Sequence, residues 1–241
     1  MSDEPKFRIT GYRRPFWNTQ PPYHYPNYIS TVARSPREPL ILLPHTLSEI
    51  TGPVFTQSEL GANDWDLYHQ HAGDPLGERI YVTGRVIDEN GRPVRKTLVE
   101  IWQANASGRY GHKRDQHDAP LDPNFTGCGR ALTDDDGRYR FLTIKPGAYC
   151  WRNHYNAWRP AHIHFSLFGP AFATRLVTQM YFPGDQLLDF DPMFQGIANE
   201  RARNRMISVF DWENVVPEYA LAYRFDIVLR GPDETPMEAK P

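Results

Sequence analysis

Cysteine is nearly absent from this chain: Cys128 and Cys150 are the only two in 241 residues. Two thiols cannot build a disulfide framework or a sulfur-rich metal site, and reduced thiols are the expectation for a cytosolic protein. Long apolar runs are missing too, since no stretch of about 18 apolar residues occurs to span a bilayer. Charge of one sign is equally scarce. There are 27 Lys and Arg against 29 Asp and Glu, a formal net charge of −2, and no Lys/Arg block, which argues against nucleic acid or an acidic membrane as the main partner. The opening Met1-Ser2-Asp3-Glu4-Pro5 has no basic-plus-apolar signal pattern, so the expected location is the cytoplasm. No internal repeat of fixed period occurs. With 40% hydrophobic residues, the length suits one sizeable domain with an ordinary core.

What the chain has in quantity is proline, aromatics and short alternating segments. Residues 1–77 read as an extended arm, rich in runs such as Pro15-Phe16-Trp17 and Pro21-Pro22-Tyr23-His24-Tyr25-Pro26. Such a stretch is too aromatic for ordinary disorder and is suited to packing on the core or a partner subunit, and it is read as a subunit-contact region. Short helical turns are expected at Leu47-Ser48-Glu49-Ile50 and Ser58-Glu59-Leu60. From residue 78 to 241 the pattern becomes β. Strands are expected at Ile80–Ile87, Thr97–Gln103, Arg130–Thr133, Arg138–Leu142, Ala161–Phe168, Arg175–Phe182 and Leu221–Leu229. Asp88-Glu89-Asn90-Gly91 and Asp134-Asp135-Asp136-Gly137 read as hairpin turns, the second in preference to a calcium loop because it lacks the EF-hand spacing. Short strands between Gly, Pro and Asp turns predict an all-β fold, a β-sandwich. Asn199–Met206 carries a polar helical signal, and the tail after Gly231 has little to bury and is expected to run along a surface or fray.

The chemistry centres on Arg159-Pro160-Ala161-His162-Ile163-His164-Phe165. In a strand, His162 and His164 share one face while Ile163 and Phe165 take the other, so one face can bind and the other pack. A His-x-His pair alone is as compatible with two buried histidines as with a metal. A second pair, His69 and His71, lies in a polar loop-like segment and reads as solvated. Tyrosines near the first pair suggest a donor set of imidazoles and phenolates, which suits trivalent iron better than zinc or copper, and the carboxylate of a ferrous facial triad is missing nearby. With 13 tyrosines in the chain, spacing does not say which would take part.

An ordered set of motifs narrows this. Gly84-Arg85-Val86-Ile87-Asp88, Val99-Glu100-Ile101-Trp102-Gln103-Ala104-Asn105, Thr133-Asp134-Asp135-Asp136-Gly137, Lys145-Pro146-Gly147, Arg159-Pro160-Ala161-His162-Ile163-His164 and Leu221-Ala222-Tyr223-Arg224-Phe225-Asp226-Ile227-Val228-Leu229-Arg230 together resemble the intradiol ring-cleaving dioxygenases. They span more than half the chain. The resemblance is to the iron-bearing chain of family members built from two related subunits.

It implies one non-heme Fe(III) per chain, held by Tyr110, Tyr149, His162 and His164, with Tyr149 the ligand that leaves and takes a substrate proton. It also implies that Arg159 lies beside the bound ring, that Gln179 holds that arginine or the departing ligand, and that Trp102, Trp151 and Tyr28 line the substrate pocket. The implied reaction opens protocatechuate with O2 to 3-carboxy-cis,cis-muconate, a step of the β-ketoadipate pathway. The implied partner is a homologous α subunit, in αβ units of a higher oligomer. The competing readings are an intradiol dioxygenase for catechol or hydroxyquinol and a noncatalytic α-type subunit. One departure from the family pattern is Cys150, where proline is expected.

Overall fold

The computed structural model describes residues 19–38, 60–115, 117–151, 158–168 and 175–238. Two sheets face each other. The first is built on β1 (Arg79–Ile87), which pairs antiparallel with β4 (Arg138–Ile144) along one edge. Its other edge pairs parallel with β10 (Leu221–Arg224) and then β11 (Ile227–Val228), and β9 (Val209–Phe210) extends the sheet beyond β10. The second sheet runs β3 (Cys128–Leu132), β2 (Leu98–Gln103), β7 (His162–Phe168), β8 (Leu176–Tyr181), all antiparallel. A two-stranded ribbon, β5 (Tyr149–Cys150) with β6 (Trp158–Arg159), stands apart. The all-β sandwich expected from the alternating segments is the fold observed.

The core explains why these segments are strands. Val82, Phe141 and Ala222 of the first sheet and Val99, Ile101, Ile163, Phe165 and Leu167 of the second belong to one buried cluster. Each fully buried aliphatic or aromatic side chain contributes about 1.5–3 kcal/mol relative to exposure. Strand β7 is buried on both faces. Its odd positions fill the sandwich, and its even positions, His162, His164 and Ser166, are covered from outside. Part of the stretch read as arm joins this core: Leu67 and Tyr68 are buried in the same cluster, Leu67 N–H donates to Leu142 O, and Leu142 N–H donates to Trp65 O. Among the described residues, no helix is long and apolar enough to cross a membrane.

Several expectations need correction. The two Asp/Gly turns form, with Gly91 and Gly137 at positive φ and the Asp88 and Asp134 side chains accepting backbone amides. The first closes a short antiparallel hairpin, with Ile87 bridged to Pro93, Asp88 N–H donating to Arg92 O and Val94 N–H to Val86 O, but neither joins two of the named strands within one sheet. Each carries the chain from one sheet to the other, because β2 pairs with β3 and β1 with β4. The strand expected over Leu221–Leu229 is broken at Phe225–Asp226. There the Asp226 carboxylate, in place of a backbone carbonyl, accepts the Arg85 amide at 2.9 Å. Opposite the break, a Cβ on Gly84 would lie 1.9 Å from the Phe225 carbonyl oxygen, so only glycine admits this approach.

The helix is shorter than its signal, Glu200–Asn204, with Asn199 as cap. Through residue 238 the tail takes the first of its two expected courses and lies along the sandwich, but it buries more than expected. Thr235 N–H donates to Val228, Glu238 N–H to Val177 and the Thr178 hydroxyl to Pro236 O, and Glu234, Thr235 and Pro236 are buried. Within the arm, Ile29–Arg34 forms one short helix. The turn expected at Leu47–Ile50, and all of the next one except Leu60, lie outside the described residues.

Candidate metal centre

The outward face of β7 is where the two imidazoles meet the rest of the site. His162 Nδ1 lies 2.7 Å from Pro160 O, an acceptor only, so Nδ1 carries the proton and Nε2 keeps its lone pair. His164 Nδ1 lies 2.9 Å from a Glu238 carboxylate oxygen, which imposes the same tautomer. One side of the His164 ring is backed by Trp102, its cross-strand neighbour on β2, with centroids 4.7 Å apart and planes 4° from parallel.

Tyr110 arrives from a loop and Tyr149 from the start of β5, and the two segments are pressed together. Gly108 has φ +81, and a Cβ there would come within 2.2 Å of Ala148 O, so backbone meets backbone where a side chain would hold the segments apart. Asn105 braces the first loop by accepting the amides of Ser107 and Arg109. As a result the Tyr110 and Tyr149 rings meet edge to face at 5.5 Å. The four rings close a circuit: Tyr149 to His162 is 5.4 Å, His162 to His164 is 4.9 Å, and His164 to Tyr110 is 6.3 Å between centroids. Tyr149 Oη is 3.5 Å from His162 Nε2. Tyr110 Oη is buried and has no hydrogen-bond partner among the described residues.

Electrostatics sharpen the picture. Burial, then the neighbouring Tyr149, pushes the Tyr110 phenol well above the ordinary tyrosine range. Burial raises Tyr149 as well, against the lowering pull of Arg159. Burial, followed by the charges of Arg159 and His164, drives His162 well below the usual imidazole range, so near pH 7 it is a neutral lone-pair donor. A buried phenol without a partner costs about 1–3 kcal/mol. A cation within the circuit would remove that cost and favour the phenolate forms. Two imidazole lone pairs and two phenol oxygens fit such an ion, and the donor set matches a hard trivalent metal better than a soft one. Among the described residues there is no cluster of three or more His, Cys, Asp and Glu that could hold a metal.

Arg159 stands beside this circuit, buried with only 2% of its surface exposed. Strand pairing of β5 with β6 sets it opposite Tyr149. Its Nη1 reaches Tyr149 Oη at 3.3 Å and His162 Nε2 at 3.0 Å. Its Nη2 donates to Gln179 Oε1 at 2.6 Å and Asp191 Oδ2 at 2.8 Å, and its Nε to Asp191 Oδ1 at 3.3 Å. Burial disfavours the guanidinium cation, but Asp191 and the phenols of Tyr149 and Tyr181 outweigh it and hold the proton more firmly than usual. Trp151 lies 5.2 Å from the guanidinium, and Tyr28 lies 5.0 Å from Trp151. Tyr28 is itself buried at the start of the arm helix.

The structure therefore brings Tyr110, Tyr149, His162, His164, Arg159, Gln179, Trp102, Trp151 and Tyr28 into one region. Cys150 is exposed and pairs with Trp158. His69 and His71 are exposed and bond to Asp66 and Thr126, away from the circuit. Sequence reasoning missed Asp191, Tyr181 and Glu238. Asp191 caps the helix Pro192–Gln195, and the Asp-Pro pair is a legible cap signal, but nothing in it announces the bond to Arg159.

Known proteins share this arrangement of chain. The family model described as Dioxygenase matches residues 50–231, and the one described as protocatechuate 3,4-dioxygenase beta subunit N terminal matches residues 12–46. The chain is 62% identical over 224 residues to the protocatechuate 3,4-dioxygenase beta chain of Burkholderia cepacia, covering 92% of this chain and 95% of that one. It is 32% identical over 206 residues to the protocatechuate 3,4-dioxygenase alpha chain of Pseudomonas putida, covering 82% and 97%. Among solved structures, hydroxyquinol 1,2-dioxygenase from Pseudomonas putida DLL-E4 superposes with a TM-score of 0.53 at 24% identity, across 84% of this chain and 71% of that one. At that identity the likeness speaks to the fold alone.

Proposed function

The chain belongs to the intradiol ring-cleaving dioxygenase family, and we propose that it is the catalytic β chain of an enzyme that opens protocatechuate with O2 between the two hydroxyl-bearing carbons, giving 3-carboxy-cis,cis-muconate. The observation that carries this reading is the closed circuit of Tyr110, Tyr149, His162 and His164 around an unpartnered buried phenol oxygen, in a chain so similar to a known β chain. These four residues are the proposed ligands of one Fe(III). When bound, the ferric ion supplies Lewis acidity that favours the doubly deprotonated catechol at neutral pH.

The remaining work falls to the chain itself. Tyr149 Oη takes the proton of one substrate hydroxyl, and the adjacent Arg159 Nη1 holds that phenol in place once it is free. Tyr110 has no such second anchor and stays a ligand. The guanidinium of Arg159 stabilises negative charge developing on the ring, and because Asp191 and Gln179 already orient it, little reorganisation is needed during the reaction. Trp151 and Tyr28 supply flat apolar walls that position the ring and exclude water.

The ring carboxylate needs a separate partner. All three nitrogens of Arg159 are engaged, and burying a carboxylate unpaired costs several kcal/mol. The homologous α chain, in αβ units of a larger assembly, is the proposed source of that group. The test is to express this chain with and without its α partner, then measure iron content, the visible phenolate-to-Fe(III) absorption, and turnover of protocatechuate against catechol. The αβ protein is expected to be coloured and protocatechuate-selective, and His162→Ala is expected to lose both iron and ring opening. A His162→Ala protein with full iron and normal turnover would overturn the ligand assignment.

A further inference from the structure

The two histidines of β7 are held by very different parts of the chain. His162 takes its tautomer from Pro160 O, two residues away on the same segment. His164 takes its tautomer from Glu238, 74 positions later. We propose that Glu238 is a positioning residue of the metal centre, and that the C-terminal segment is the strut that aims His164 Nε2 into the circuit. This inference rests on the proposed iron site and deepens it.

The segment is built to deliver that carboxylate. Thr178 Oγ1 donates to Pro236 O at 2.7 Å and Glu238 N–H donates to Val177 O at 2.7 Å, so residues 236–238 lie against β8. From the other side the arm braces them: Gln20 Oε1 accepts the Met237 amide at 2.8 Å, Gln20 Nε2 donates to Glu234 at 2.9 Å, and the Thr19 hydroxyl also bonds Glu234. The Glu238 carboxylate is mostly buried, its side chain 24% exposed. Trp102 stacks on the His164 ring and restrains its tilt, but a stacked face cannot choose between the two ring nitrogens. The carboxylate makes that choice. It accepts from Nδ1–H, leaves Nε2 with its lone pair, and makes the imidazole a stronger donor. Loss of such an outer hydrogen bond typically weakens metal affinity by about 10–100-fold.

The test uses the αβ protein with wild type, Glu238→Ala and Glu238→Gln, reading iron affinity by competition with a chelator alongside the visible absorption. Co-elution with the α chain shows that each variant is folded. Glu238→Ala is expected to bind iron about 10–100-fold more weakly. Glu238→Gln keeps an acceptor oxygen for Nδ1–H and is expected to restore most of that affinity. Should Glu238→Ala fail to assemble, Glu238→Asp, which draws the carboxylate back by one methylene, makes the same test and is expected to show an intermediate loss. Wild-type affinity in the Ala variant, or in the Asp variant used in its place, would overturn the proposal, as would a Gln variant as depleted as Ala. His162→Ala separates the two levels. If it retains iron, the centre itself is misassigned; if it loses iron while Glu238→Ala does not, only the role of Glu238 falls.

Discussion

The buried pair Arg159–Asp191 lends itself to a double-mutant test. Both side chains are almost completely buried, at 2% and 0% exposure, and they are joined through two nitrogens of the guanidinium. Removing one member of such a pair strands a charge in the interior and costs about 3–5 kcal/mol, whereas replacing both with apolar residues of similar volume is close to neutral. Asp191 also caps the helix Pro192–Gln195 by accepting the Met193 amide at 3.1 Å, a bond worth about 1 kcal/mol that no apolar replacement recovers. Asp191→Leu, losing both pair and cap, is therefore expected to lower the thermal midpoint by roughly 8–24 °C, at about 2–4 °C per kcal/mol for a chain of this size. Arg159→Met with Asp191→Leu should recover all but about 1 kcal/mol of that loss. Turnover should be abolished in the double variant, because the guanidinium proposed to face the substrate is gone. The assay is thermal unfolding of the αβ protein followed by circular dichroism, with ring opening measured on the same samples. A midpoint for Asp191→Leu within about 2 °C of wild type, or a double variant as unstable as the sum of the singles, would refute the reasoning.

Two further outcomes are expected. Tyr139 Oη donates to Phe225 O at 2.5 Å inside the core, so Tyr139→Phe leaves that carbonyl short of a donor and should cost about 1–3 kcal/mol in thermal unfolding; an unchanged midpoint would mean the bond adds nothing. A hydrogen bond from Arg205 holds Asp233 below the usual carboxylate range, with partial desolvation opposing it and the charges of Arg205 and Arg201 assisting. Because the folded-state value is depressed, its contribution is complete above the ordinary carboxylate range and disappears as pH falls through the lower folded value. Wild type and Asp233→Asn should thus differ in midpoint at neutral pH and converge in acid, and a gap that widens in acid would contradict this.

Much of the sandwich was legible because its strands alternate. The parity of His162-Ile163-His164-Phe165 foretold which residues meet the core and which meet the site, and β7 obeys it. Turn chemistry was legible too, but only locally. Asp88–Gly91 and Asp134–Gly137 declare a reversal of the chain and say nothing about which strand it will pair with, since pairing is decided by the fit of faces far apart in sequence. The break at Phe225–Asp226 had no signal, because it depends on a side chain competing for the Arg85 amide across the sheet. Asp191 and Glu238 were invisible for the same reason. Each is an acidic residue whose neighbours in sequence announce nothing of its role, and its importance comes from a partner brought near by the fold.

The parallel pairing of β1 with β10 and β11 bears on how the chain is made. Arg85 and Asp226, which close this seam, are 141 positions apart, so β1 is synthesised long before the strands that cover its second edge. Throughout that interval the nascent chain can satisfy only the edge facing β4, and the open edge presents unpaired amides and carbonyls able to recruit another strand. Contacts of such long sequence separation also slow folding, prolonging the exposure. Ribosome stalling before residue 221, or a nonsense mutation there, should therefore yield an aggregating fragment with a ready-made template edge, and chaperone demand during expression should track the time taken to reach Ile227–Val228.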